Sequence, residues 1–294
     1  MTHPTTTLST RLRLASLGPV LLGAFSFACA DVLTKVTLRA GADVLTASVG
    51  RGVVGIVVLF AWLRLVQRPA PLSAREKWIS LGLGVVFAGN VFLVFTAIDL
   101  VEVPIAILTY FVYPLLTGIA AAATGLEKLS WRGAAAALVA FLGLALMIGA
   151  HPGALAVAGI LAALAGACCR VVLLLATRAT LQGTDARMIT WYSLISSTAL
   201  FAIAAAVTMN WQPPAAAPGW IALAALGVAI MAGILGVFAS TIRIGPFRTA
   251  LLMNLEPVLA TTGSALFLGE GITPVQAVGA AVMIAALIAF QLWR

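Results

Sequence analysis

The succession of apolar and polar positions along the chain predicts ten stretches long enough to cross a membrane. A helix crossing a hydrocarbon layer of about 30 Å needs about 20 largely apolar residues. Runs of that length fall roughly at Leu14 to Leu38, Val44 to Val66, Trp78 to Ile98, Pro104 to Thr124 and Trp131 to Ile148. A second series follows at Ala154 to Thr177, Met188 to Met209, Trp220 to Ile242, Thr249 to Leu268 and Pro274 to Trp293. The segments between them are too short to hold a soluble domain.

The two series carry the same landmarks. Pro114 is followed thirteen residues later by Glu127, and Pro257 thirteen later by Glu270. Gly84, Val85, Val94 and Phe95 align with Gly227, Val228, Val237 and Phe238 at the same offset of 143 residues. This is an internal repeat, with one unit at 1–148 and the other at 149–294. Five spans per unit is an odd number, so the second unit enters the membrane from the side opposite to the first. The expected fold is therefore an all-α polytopic membrane protein, ten transmembrane helices arranged as two inverted five-helix repeats. Such repeats suit secondary transport, because related halves can exchange roles between two access states.

Composition agrees with the pattern: 62% of residues are hydrophobic and 9% charged, far from a soluble globular average. The net charge of +8 would suit a nucleic-acid partner, but the positions of the charges exclude that reading. With the N-terminus cytoplasmic, the inner segments hold Arg11, Arg13, Arg64, Arg68, Arg75, Lys77, Lys128, Arg132, Arg178, Arg187, Arg243, Arg248 and Arg294, against Arg39 and the nearby Lys35 outside. Thirteen against two is the positive-inside asymmetry, and it places both termini in the cytoplasm. The expected partners are membrane lipid, including anionic inner-leaflet lipid, and a small-molecule substrate. Trp62, Trp78, Trp131, Trp191, Trp211, Trp220 and Trp293 all fall near predicted span ends, where indoles prefer the headgroup level.

Cys29, Cys168 and Cys169 lie inside apolar spans and read as small packing residues. Arg11 and Arg13, an apolar run and Ala28-Cys29-Ala30 imitate a cleavable signal peptide; the segment is read here as an uncleaved first helix. An intramembrane enzyme would need a nucleophile with a base, or a metal cluster. The two histidines, His3 and His151, lie in the tail and a predicted loop, and no Walker loop, Gly-x-Ser-x-Gly, Cys-x-x-Cys or His-Glu-x-x-His occurs. Neither enzyme activity nor a cofactor is expected.

Ionisable residues at membrane depth cost at least about 2.5 kcal/mol on insertion scales, so each is a functional candidate. Arg51, Arg170 and Glu256 lie near the middle of their spans, and Asp31 outward of centre. Asp31 and Lys35, at i and i+4, share a helix face as a possible ion pair. Arg51 reads as a buried arginine satisfying backbone carbonyls or as a functional group. Arg170 and Glu256 read either as the two ends of a clamp for a zwitterion or as a permanent salt bridge between helices. Pro114 and Pro257 each remove a backbone donor mid-span and predict kinks that serve as hinges. Around those kinks lie Tyr110, Phe111, Tyr113, Met253, Asn254 and Glu256, with Asn90 on the third span. Tyr110, Tyr113, Asn90, Asn254, Arg170 and Glu256 are thus the candidate substrate-binding residues.

Tyr113-Pro114-Leu115-Leu116 running on to Gly125-Leu126-Glu127-Lys128-Leu129-Ser130, and Leu255-Glu256-Pro257-Val258 running on to Phe267-Leu268-Gly269-Glu270, resemble the EamA branch of the drug/metabolite transporter superfamily. The resemblance spans essentially the whole chain, with Gly125-Leu126-Glu127 departing slightly from the Gly-Glu pattern kept at Gly269-Glu270. It implies a central cavity lined by the first, third, fourth, sixth, eighth and ninth spans, and ATP-independent export of metabolites. Within that branch the chain looks most like YddG-type exporters of aromatic and other amino acids. The expected function is export of amino acids and similar amphipathic metabolites across a bacterial inner membrane by alternating access. A multidrug or nucleoside-type exporter is the alternative, and a non-cycling channel the rival class. A monomer is expected, because one chain supplies both repeats.

Overall fold

A computed structural model describes the chain at 5–66, 69–149 and 156–292, with side chains from residue 16 on. His3, Arg68, His151, Trp293, Arg294 and the side chains of Arg11 and Arg13 lie outside the described residues. Regular structure among the described residues is entirely helical: α1 (Thr5–Arg39), α2 (Val44–Leu65), α3 (Ala74–Leu100), α4 (Val103–Tyr110), α5 (Tyr113–Ala123), α6 (Trp131–Ile148), α7 (Val157–Thr180), α8 (Ala186–Thr208), α9 (Ala217–Ile244), α10 (Pro246–Leu252), α11 (Leu255–Leu268) and α12 (Pro274–Leu292). They make ten apolar spans, because α4 with α5, and α10 with α11, each cross as one unit. The boundaries come from local chemistry. Asp43 caps α2 by accepting from the Leu45 and Thr46 amides at 2.8 and 3.0 Å, and Ser73 and Glu76 form a reciprocal capping box on α3. That box starts the third span at Ala74, four residues before the predicted Trp78.

The spans that hold the two prolines are each interrupted mid-way. Pro114 and Pro257 sit in the first turn of α5 and α11, where a missing N–H costs little. The joint lies just before each, at Phe111–Val112 and Met253–Asn254. There the chain tightens into i→i+3 bonds, Val112 N to Thr109 O at 3.3 Å and Asn254 N to Leu251 O at 3.2 Å.

The halves interlock rather than stand side by side. α1 packs on α9 and α11, α3 on α7 and α8, and α6 on α12. Helices in lipid lack a hydrophobic drive to associate and depend on close backbone approach at small residues. A Cβ added to Gly236 on α9 would stand 2.6 Å from the amide nitrogen of Gly23 on α1. A Cβ on Gly23 would meet Val237 at 3.4 Å, and one on Gly166, 143 residues further along, would meet Val94 at 3.2 Å. The α1–α9 contact is thus repeated as α7–α3, with the two repeats exchanged. The fifth and tenth spans, α6 and α12, which hold no charge in their interior, cross at Gly143 and Gly279, where an added Cβ would come within 2.8 Å of facing backbone.

Candidate functional site

A cavity of about 570 Å³ enters the bundle from the end where α1 finishes and α12 begins. Its volume falls within the range of small-molecule sites. Besides the six spans implied by the family resemblance, it is reached by Arg51 of α2, Met147 and Ile148 of α6 and Gln276 of α12. The aromatic wall comes from the α4–α5 joint. Tyr110 and Tyr113, three residues apart, bring their rings to 5.4 Å, with Phe111 beside both.

Arg170 of α7 is 6% exposed, and its guanidinium lies 5.5 Å from the Phe27 ring and 5.7 Å from the Tyr113 ring. A cation over an aromatic face is stabilised by about 2 kcal/mol when desolvated, but this satisfies no donor. The Nε of Arg170 is buried without a hydrogen-bond partner. Glu256 lines the same cavity, and no Arg170–Glu256 contact reaches ion-pair distance among the described residues. A salt bridge joining the two helices is therefore not formed in this conformation.

The other expected site residues divide. Asn90 reaches the cavity, while its amide donates to the Gly166 carbonyl at 2.7 Å and ties α3 to α7. Asn254 does not line it: 2% exposed, it donates to the Leu251 carbonyl at 2.8 Å and braces the α10–α11 joint. The expected Asp31–Lys35 ion pair is not formed either. Lys35 is drawn away by Glu270, whose carboxylate takes its Nζ at 2.8 Å and lies 3.5 Å from Arg39, and by the Ser264 hydroxyl at 3.3 Å. The Lys35 hydrogen bond holds the Glu270 carboxyl below the usual glutamate range. Its partner lies in the other repeat, so i+4 spacing alone could not reveal it. Asp31 is left facing the cavity with Arg51, whose buried Nη2 has no hydrogen-bond partner.

The opposite end is closed by contacts that sequence reasoning did not single out. Phe247 is wedged over Gly118 and Gly133, where an added Cβ would meet its ring at 2.8 and 3.0 Å, and it meets Phe290 edge-on at 5.9 Å. Its amide donates to the Glu127 carboxylate at 3.3 Å, while Arg178 donates to the Ile242 carbonyl. Gly245, between α9 and α10, holds φ +92° directly against that carboxylate and leaves no room for a Cβ. Burial pushes the Glu127 carboxyl up, opposed by the Phe247 amide and Arg178. A second pocket of about 490 Å³ opens near this end among Pro19, Trp62, Asp185 and Arg187, but its Asp185 and Arg187 already pair at 2.6 Å.

Ten membrane-crossing helices in two inverted halves, around a deep cavity lined by charged residues from both halves, define a multi-pass membrane transporter. The EamA-like transporter family model matches the chain twice, over residues 16–149 and 157–291, and the chain belongs to that family. A protein of known crystal structure, 23% identical, superposes with a TM-score of 0.73 over 94% of this chain and 98% of its own. No curated protein sequence matches the chain significantly.

Proposed function

We propose that the protein exports amino acids and similar small amphipathic metabolites across a bacterial inner membrane by alternating access between its two repeats. The observation that carries this reading is the pair Arg170 and Glu256, opposite charges lining one cavity without contacting each other. A zwitterion supplies a carboxylate for the guanidinium and an ammonium for the carboxylate, satisfying groups that are otherwise costly at that depth. The rings of Phe27, Tyr110, Phe111 and Tyr113 beside them offer an apolar wall for a neutral or aromatic side chain, which would suit an exporter of the YddG type. The hinges are the joints before Pro114 and Pro257. With both termini cytoplasmic, as the lysine and arginine asymmetry argues, the cavity faces outward and the Glu127–Phe247 end is the closed cytoplasmic gate.

Uptake into proteoliposomes of a panel of amino acids, nucleosides and lipophilic cations tests the reading. Saturable amino-acid flux with trans-stimulation is expected. Flux of nucleosides or cations alone would replace the substrate class, and linear non-saturating flux would replace the carrier with a channel.

A further inference from the structure

The cavity contains a second set of opposed charges. Arg51 on α2 lines it with a buried Nη2 that finds no hydrogen-bond partner, although arginine has five donors to satisfy. Asp31 on α1 lines it too and makes no ion pair among the described residues, because its neighbour Lys35 is held by Glu270 and Ser264. All four groups line the one cavity, and each arginine carries a buried nitrogen with no hydrogen-bond partner, Nη2 in Arg51 and Nε in Arg170.

We propose that Arg51 and Asp31 form a second subsite beside Arg170 and Glu256, and that the pair of subsites accepts α-amino dicarboxylates, the acidic amino acids. A ligand that answers two such arginines and the carboxyls beside them carries a carboxylate at each end and an ammonium between. One carboxylate meets Arg170 and the other Arg51, while the ammonium lies between Glu256 and Asp31. A neutral amino acid fills the first subsite and leaves the Arg51 donor without a partner. A diamine would bring no acceptor to either arginine. Buried donors left unpaired discriminate strongly between ligands that differ by one polar group. The inference rests on the amino-acid reading of Arg170 and Glu256, and goes beyond it by assigning a specificity residue on a different helix.

The test measures glutamate and phenylalanine uptake by the full-length chain in proteoliposomes, for wild type, Arg51→Gln and Arg51→Lys. Wild type is expected to carry both, with unlabelled glutamate inhibiting phenylalanine uptake competitively. Arg51→Gln is expected to lower the glutamate-to-phenylalanine flux ratio at least about tenfold, and Arg51→Lys to restore most of it. A parallel loss of both fluxes in Arg51→Gln, with the ratio unchanged, would assign Arg51 to the scaffold and overturn the inference. Phenylalanine transport by wild type with no glutamate or aspartate transport or inhibition would overturn it while leaving the Arg170–Glu256 reading intact, a result independent of how any variant folds. Transport of neither would remove both.

Discussion

Arg170 lies 5.5 Å over the ring of Phe27, the residue that holds its own place in the other repeat, 143 positions earlier. Tyr113 and Glu256 are related in the same way, and all four line one cavity. At the centre of a nearly symmetric fold, one repeat contributes two aromatic rings and the other an acid and a base. The symmetry repeats the helices, whereas its failure at these positions gives the cavity its chemistry.

Replacing Arg170 by Gln separates a ligand clamp from a scaffold ion pair. With no Arg170–Glu256 bridge to break, the variant is expected to keep a detergent melting temperature close to wild type. Loss of a charge-assisted bond of about 1.5–3 kcal/mol should weaken substrate binding by about 10- to 100-fold. Melting and uptake measured together check this. An unstable Arg170→Gln rescued by adding Glu256→Gln would identify a structural pair instead.

At the joints, Pro114→Ala and Pro257→Ala each restore a backbone donor where the chain now tightens before the second half-helix. The expected result is a straighter, less mobile crossing, with turnover reduced several-fold and substrate affinity nearly unchanged. Turnover numbers and binding constants from the same preparation decide the matter. Wild-type turnover in both variants would make the joints packing features only.

Gly245→Ala is expected to destabilise the closed end. A side chain at φ +92° is strained by about 1–3 kcal/mol, and its Cβ also displaces the Glu127 carboxylate. Combining it with Glu127→Ala should recover part of the loss, since only the overlap is relieved. Melting temperatures of the two single variants and the double variant measure both parts.

Glu127 and Glu270, equivalent in the repeats, should respond to acid in opposite directions. The Glu127 carboxyl is raised by burial, so the folded protein favours its protonated form. That contribution is present at and below the ordinary value near 4.3 and is lost as pH rises through the raised value. The Glu270 carboxyl is lowered by Lys35, so its contribution is present above the ordinary value and is lost as pH falls through the lowered one. Wild type should therefore gain stability relative to Glu127→Gln on acidification toward the ordinary range. It should lose its advantage over Glu270→Gln below that range. Melting curves of the three proteins across pH check both signs.

The spans, the repeat and the family were legible in the sequence because each rests on a long pattern: apolar runs of about twenty residues and landmarks recurring at a fixed offset. The depth of Arg170 and Glu256 was legible for the same reason. What escaped were side-chain choices between distant residues. Lys35 belongs to Glu270 instead of Asp31, and Asn254 turns to its own backbone at Leu251 instead of the cavity. The Phe247 wedge over Gly118 and Gly133 carries no charge or motif to mark it. Pro114 and Pro257 marked the two interrupted crossings, and the chain breaks at the residues just before each.

Position by position, the clasp at the closed end has no twin at the open one. The places of Gly245 and Phe247 are taken in the first repeat by Glu102 and Pro104. Were the halves to trade conformations, Glu270 would arrive where a second carboxylate stands in place of a bare glycine, and where a proline has no N–H to offer. The two doors of this protein are hung on matching frames but fitted with different locks. If the proposed exchange takes place, shutting the one beside Glu270 would rely on something other than the bond that secures its counterpart, and an empty carrier would rest with that door ajar.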